Sequence, residues 1–152
     1  MVKLSGGRRR VQYIHPAHVG YDEPLDANNC SVRALSNVTG LPYEISFKAF
    51  QSVGRQACKG ASIKQCHEAY TDAGGRLIDV YGGTRQAAGF TLMTGVLPMQ
   101  SMTLKTLLLT LPAKGRYIAV ITRHALAIVD GVIVDTGPSK ALSRVTALYK
   151  FD

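Results

Sequence analysis

The sequence predicts an α+β protein, with helices in its first half and an antiparallel sheet in its second. Between residues 30 and 72, apolar side chains recur at three- and four-residue spacing, the period of an amphipathic helix. After Gly115 the runs "RYIAVIT", "HALAIVD" and "VIVDT" are rich in strand-forming residues, and Asp130–Gly131 falls between the last two as a hairpin turn. Helices followed by strands, rather than alternating with them, is the α+β order. A chain of 152 residues with 46% hydrophobic content has the size and apolar fraction of one domain around one core, so 1–152 is read as a single domain.

Residues 1 to 29 are rich in Gly, Arg, His, Pro and Asp and hold no sustained period. They read as an arm, with "GGRRR" inside a flexible basic tip over 1–10 and one short strand at Arg10–Ile14. From Cys30 the residues Val32, Leu35 and Val38 predict a helix of about ten residues, with Asn28 or Asn29 as N-cap and Gly40 with Pro42 as the stop. Pro42 then serves as the first-turn proline of a second helix through about Gln51, with Ile45, Phe47 and Phe50 available for burial. A third helix starts at Ser62, carries Ile63, Cys66, Ala69 and Tyr70, and ends at "DAGG". "RLIDVY" reads as a strand and "GGTRQAAGF" as a glycine-rich loop. "MTLKTLLLTLP" reads as either a short helix or a buried run, and "RVTALYKF" as a closing strand.

Composition excludes several classes. No apolar run approaches the roughly 18 residues of a membrane span, and the start "MVKLSGGRRRVQY" has no apolar segment behind its basic residues, so neither a membrane anchor nor a signal peptide is expected. Three cysteines, an odd count without a CxxC pair, fit free thiols in a reducing cytoplasm. A formal net charge of +8 favours an acidic partner, either a negative protein surface or, secondarily, nucleic acid.

The stretch "DANNCSVRAL" carries the chemistry. A cysteine in the first turn of a helix feels the positive end of the macrodipole and the unpaired N–H groups there, which depress its pKa and favour the nucleophilic thiolate. Cys58 lies in a linker and Cys66 on the buried face of its helix, so Cys30 is the reactive candidate. A nucleophilic cysteine needs a base, and the base needs a group that fixes its tautomer. Of the four histidines, His15 and His18 fall in the irregular arm, His67 follows Cys66 on a helix, and His124 begins a strand. If Asp130–Gly131 is a two-residue turn, Val129 pairs with Val132, and counting outward makes His124 and Asp135 diagonal neighbours on one face of the sheet. A three-residue loop would send them to opposite faces.

"NNCSVRAL" with "RHALAIVDGVIVDT" far downstream resembles the papain-like cysteine peptidase superfamily, in particular the small peptidase-like proteins of bacteriophage genomes. The resemblance implies a papain-like fold and a catalytic triad of Cys30 as nucleophile, His124 as general base and Asp135 as orienting residue. It implies no metal or organic cofactor, a protein or peptide substrate, and action in the host cytoplasm if the chain is phage-encoded. The larger papain-like enzymes place a glutamine six residues before the nucleophile and an asparagine third in the triad; here those positions are Pro24 and Asp135. The oxyanion donors left are the backbone N–H of Cys30 with the amide of Asn28, or Gln12 on the preceding strand.

Other readings were weighed against this one. A zinc site from Cys58, Cys66 and His67 with His15 or His18 fits no usual finger spacing, and adjacent Cys66 and His67 point different ways on a helix. "GGTRQAAGF" lacks the Lys-Ser/Thr of a P-loop and suits the rim of a cleft. The runner-up of a different class is a basic nucleic-acid- or host-protein-binding protein on a catalytically silent papain-like fold.

Overall fold

The computed structural model describes residues 28–135 and 141–152. The arm 1–10, the strand expected at Arg10–Ile14, and Gln12, His15, His18 and Pro24 lie outside them. The described residues form an α+β structure of five helices and a mixed sheet of seven strands. In chain order the elements are α1 (Cys30–Thr39), α2 (Tyr43–Ser52), α3 (Ile63–Asp72), β1 (Arg76–Tyr81), α4 (Ala87–Thr94), β2 (Pro98–Met99), β3 (Met102–Thr103), α5 (Leu104–Thr110), β4 (Arg116–Ile121), β5 (His124–Val129), β6 (Val132–Val134) and β7 (Arg144–Phe151). No helix of the described residues is long and apolar enough to cross a membrane.

The helix boundaries follow local chemistry. Gly40 ends α1 in the left-handed conformation at φ 74°, donating its N–H to the Ser36 carbonyl at 2.9 Å. Ser62 opens α3 with a complete capping box: its hydroxyl accepts from the Gln65 N–H while the Gln65 side chain accepts from the Ser62 N–H, an arrangement that contributes about 1 kcal/mol. At α1 the expectation is corrected. Asn29 occupies the N-cap position, but its amide donates instead to the Tyr43 hydroxyl at 2.9 Å and ties the start of α1 to α2. Pro42 stands at the N-cap of α2 rather than inside it, and Ile45 is exposed while Tyr43 is buried in its stead.

The sheet order is β2-β1-β7-β4-β5-β6, with β3 also paired to β7. It is mixed where an antiparallel sheet was expected, because β2 runs parallel to β1; α4, in the stretch read as a glycine-rich loop, makes that crossover possible. Nor do the helices all precede the strands, since α4 and α5 interrupt them. "MTLKTLLLTLP" resolves into β3 and α5, whose first turn is capped by the Thr103 hydroxyl.

Two apolar layers flank the sheet. On one face Val32, Leu35 and Val38 of α1, with Phe50, Tyr70 and Phe90 of neighbouring helices, pack on Ile118, Ala125, Ala127, Ala147 and Tyr149. On the other, Leu104, Leu107 and Leu108 of α5 pack on Ala119, Leu126, Ile128, Ile133 and Leu148. Alternation along β5 therefore gives α1 the small residues Ala125 and Ala127, which let the helix axis approach the sheet closely.

The β5–β6 turn has two residues, Asp130 at φ 48° and Gly131 at φ 79°, and the register is Val129↔Val132, Ile128↔Ile133, Ala127↔Val134. Positive φ at both turn positions is the twist-compatible primed form. Asp130 is further fixed by a reciprocal pair with Gly115, accepting its N–H at Oδ1 (3.0 Å) and donating its own N–H to the Gly115 carbonyl (2.8 Å). Gly131→Ala places a Cβ in a left-handed position and is expected to destabilise the protein by about 1–2 kcal/mol in urea unfolding; an unchanged midpoint would show that this turn does not constrain the fold.

Candidate active site

Residue 30 is the first residue of α1, so its N–H has no intrahelical acceptor and its side chain stands at the positive end of the helix. Three contacts hold this end in place. Besides Asn29 to Tyr43, the buried Tyr70 hydroxyl donates to the Ser31 carbonyl at 3.0 Å, and the buried Arg55 guanidinium donates to the Asn28 carbonyl at 3.4 Å. Asn28 itself is at φ 54°, and its Nδ2 donates to the Cys58 carbonyl at 3.2 Å. That amide is engaged with the Cys58 loop, and the Cys30 N–H stands at the open start of α1.

The β5–β6 register puts Asp135 one step beyond Val134, diagonal to His124 on the α5 face, and His124 Nε2 lies 2.6 Å from Asp135 Oδ2. Asp135 is buried (5% exposed) and the His124 side chain is partly open (30%). With Nε2 committed to the carboxylate, Nδ1 is the nitrogen left for Cys30, whose thiol is hydrogen-bonded to His124.

Strand alternation alone would keep Cys30 and His124 apart, because α1 covers one face of the sheet and His124 belongs to the other. They meet at the sheet's end. The Ala125 N–H donates to the Cys30 sulfur, so the thiol lies within reach of both the Ala125 amide and the His124 ring.

The electrostatics follow from these contacts. Burial by itself pushes the Cys30 thiol up, but the hydrogen bond and charge of His124, the Ala125 amide and the Ser31 hydroxyl together outweigh it, so the thiol lies below its ordinary value. His124 is pushed up to about 10 by its hydrogen bonds to Asp135 and then to Cys30, against the opposing effect of burial. One group goes down and the other up, which is the signature of a proton held on the imidazole and a thiolate beside it.

Ser31 extends the network. Its Oγ accepts from the Cys66 thiol at 3.4 Å and lies 4.0 Å from Cys30 Sγ. Because Cys66 is the donor, the single hydroxyl proton of Ser31 is available to the Cys30 thiolate. Burial first, and then the neighbouring Cys30 charge, push Cys66 up to about 11 despite that bond, so it stays a protonated thiol. None of the three cysteines is in a disulfide, and Cys58 is exposed. His67 pairs instead with the Tyr149 hydroxyl at 2.7 Å, and burial holds it below its ordinary value. No group of three or more His, Cys, Asp or Glu side chains among the described residues is arranged to hold a metal ion.

The structure thus brings Cys30, His124 and Asp135 into one hydrogen-bonded chain, places Asn28 beside it with its amide turned to Cys58, and leaves Gln12 outside the described residues. Sequence reasoning missed Ala125, Ser31 and Tyr70. Cys66 and Tyr70 share a buried helical face and were readable as core, but the polar partners of a buried thiol and phenol depend on which helix packs over them.

The geometry fixes a pH dependence. Alkylation of Cys30 by iodoacetamide should rise through a midpoint below the ordinary thiol value. In His124→Ala the two largest lowering contacts are lost while burial remains, so the midpoint should move up; a midpoint unmoved by His124→Ala would separate the two residues. Ser31→Ala should shift it up by a smaller amount. Comparison with known proteins finds no matching protein-family model, no matching curated protein and no matching solved structure.

Proposed function

We propose that this protein is a cysteine hydrolase, peptidase- or isopeptidase-like, with a papain-like arrangement in which Cys30, His124 and Asp135 form the triad. The observation that carries the reading is the continuous hydrogen-bonded chain from a helix-start thiol through an imidazole to a buried carboxylate, with the thiol down and the imidazole up.

In the proposed cycle the Cys30 thiolate adds to the carbonyl carbon of an amide, and the electron pair of the C=O bond moves onto oxygen. The Cys30 N–H, and any further donor beside it, stabilises that oxyanion. As the C–N bond breaks, the His124 imidazolium gives its proton to the departing amine, leaving a thioester and a neutral imidazole. Water then attacks the thioester with His124 as base; the C–S bond breaks, the carboxylic acid leaves, and the thiolate–imidazolium pair is restored. Asp135 keeps Nε2 protonated throughout, so that Nδ1 remains the nitrogen that exchanges protons with the sulfur and the leaving group. Free thiols suit a reducing compartment, and we place the activity in the cytoplasm, that of the host if the chain is phage-encoded.

The second reading, a basic binding protein on a silent scaffold, draws on the net charge of +8. The two separate experimentally, because binding by charge survives Cys30→Ala and falls with salt, whereas turnover depends on the thiol.

An electrophilic activity-based probe should label Cys30 of the wild type, not label Cys30→Ala, and label His124→Ala far more slowly. Once a substrate is in hand, Asp135→Asn should lower kcat by about 10²-fold or more while the fold, read by circular dichroism, is kept. Turnover that persists in a folded Cys30→Ala would defeat the reading.

A further inference from the structure

The basic residues are scattered through the sequence, and Arg76, Arg116 and Lys150 lie at the far end of the sheet, but the topology gathers five others at the end that carries the thiol. Cys30, the His124 end of β5, the end of β1 and the start of β7 all lie at one end of the sheet. Backbone and side-chain bonds fasten the adjoining loops there. The Thr122 N–H donates to the Arg144 carbonyl at 3.2 Å, which sets the Thr122–Arg123 turn beside the start of β7. The buried Thr146 hydroxyl donates to Thr84 at 3.1 Å, which holds the loop bearing Arg85 at the end of β1. The Lys105 N–H donates to the Ala141 carbonyl at 2.8 Å, and the Asn28 amide to the Cys58 carbonyl, beside Lys59.

Five exposed cations, Lys59, Arg85, Lys105, Arg123 and Arg144, therefore surround the end that carries the thiol. None of them is ion-paired to an acid among the described residues. Among the described acids, Asp72 ends α3, Asp130 is in the β5–β6 turn and Asp152 follows β7, all at the far end of the sheet or beside it, while Glu68 lies within α3 and Glu44 is paired with Lys48 on α2. Near the thiol, Asp135 is bound to His124, and Asp79, two residues inside β1, accepts the Tyr81 hydroxyl. A cleft rimmed by one sign of charge raises the local concentration of oppositely charged substrate.

We propose that the substrate is an acidic polypeptide, bound with carboxylate side chains flanking the scissile bond against this cationic rim; the proposal rests on the hydrolase reading of Cys30. A polypeptide is favoured over nucleic acid because the rim surrounds a thiolate, a nucleophile suited to acyl carbon, and among the described residues its cations are not interleaved with exposed aromatic side chains of the kind that stack bases. Arg123, in the turn just before His124, and Arg144, at the start of β7 beside that turn, are the central pair, and guanidinium groups match carboxylates bidentately.

The test uses three peptide vinyl sulfones with the same warhead and arms rich in glutamate, in serine and glycine, or in lysine, with second-order inactivation of Cys30 followed by intact mass. The glutamate arm should react roughly tenfold or more faster than the lysine arm at low ionic strength, with the ratio shrinking as salt is added. The ratio should also shrink in the Arg123→Gln/Arg144→Gln double variant, both positions being exposed. Equal rates for all three arms, or a preference for lysine, would overturn the acidic substrate while leaving the hydrolase reading intact. A thiol unreactive toward every arm would remove both. A short DNA duplex that protects Cys30 at lower charge concentration than an unreactive glutamate peptide would assign the rim to nucleic acid and overturn the proposal as well.

Discussion

The hydrogen bond from His124 Nε2 to Asp135 Oδ2, 2.6 Å long, is the contact on which the rest of the site depends. It exists because the β5–β6 turn holds two residues and not three, which keeps both side chains on one face. The carboxylate is buried, so its charge is poorly screened from the ring and keeps the imidazole protonated. Without that proton burial would push the Cys30 thiol up, opposed only by the Ala125 amide and the Ser31 hydroxyl.

A second constraint brings the thiol to the ring. The helix bearing Cys30 and the face bearing His124 are on opposite sides of the sheet, and they meet at its end. The Ala125 N–H donates to the sulfur, and the small Ala125 and Ala127 side chains allow α1 close enough to receive it. The contacts of Asn29 with Tyr43, of Tyr70 with Ser31 and of Cys66 with Ser31 then fix the helix start from the other side, with two buried hydroxyls and one buried thiol each engaged rather than stranded.

Much of this was legible in the sequence, and the legible parts have a common character. The start of α1 at Cys30, its stop at Gly40, the capping box after Ser62 and the Asp130–Gly131 turn are local signals whose meaning needs no distant partner. The juxtaposition of His124 with Asp135 was legible because a tight turn converts sequence offset into register. What was not legible is non-local. Asn29 reads as a cap, but a buried Tyr43 hydroxyl competes for its amide; "GGTRQAAGF" reads as a loop, but Ala87 and Phe90 are drawn into the core as α4. The parallel β1–β2 pair, and the gathering of Lys59, Arg85, Lys105, Arg123 and Arg144 at one end, depend on strand order, which composition and period do not carry.

The central claim is that a proton resides on His124 and a thiolate on Cys30, and the most direct measurement is ¹⁵N NMR of the imidazole nitrogens as a function of pH. The account predicts that at pH 8 both nitrogens of His124 are protonated, that His67 is neutral at the same pH, and that the His124 imidazolium titrates with a midpoint near 10. A neutral His124 ring at pH 8, with a single protonated nitrogen, would contradict it.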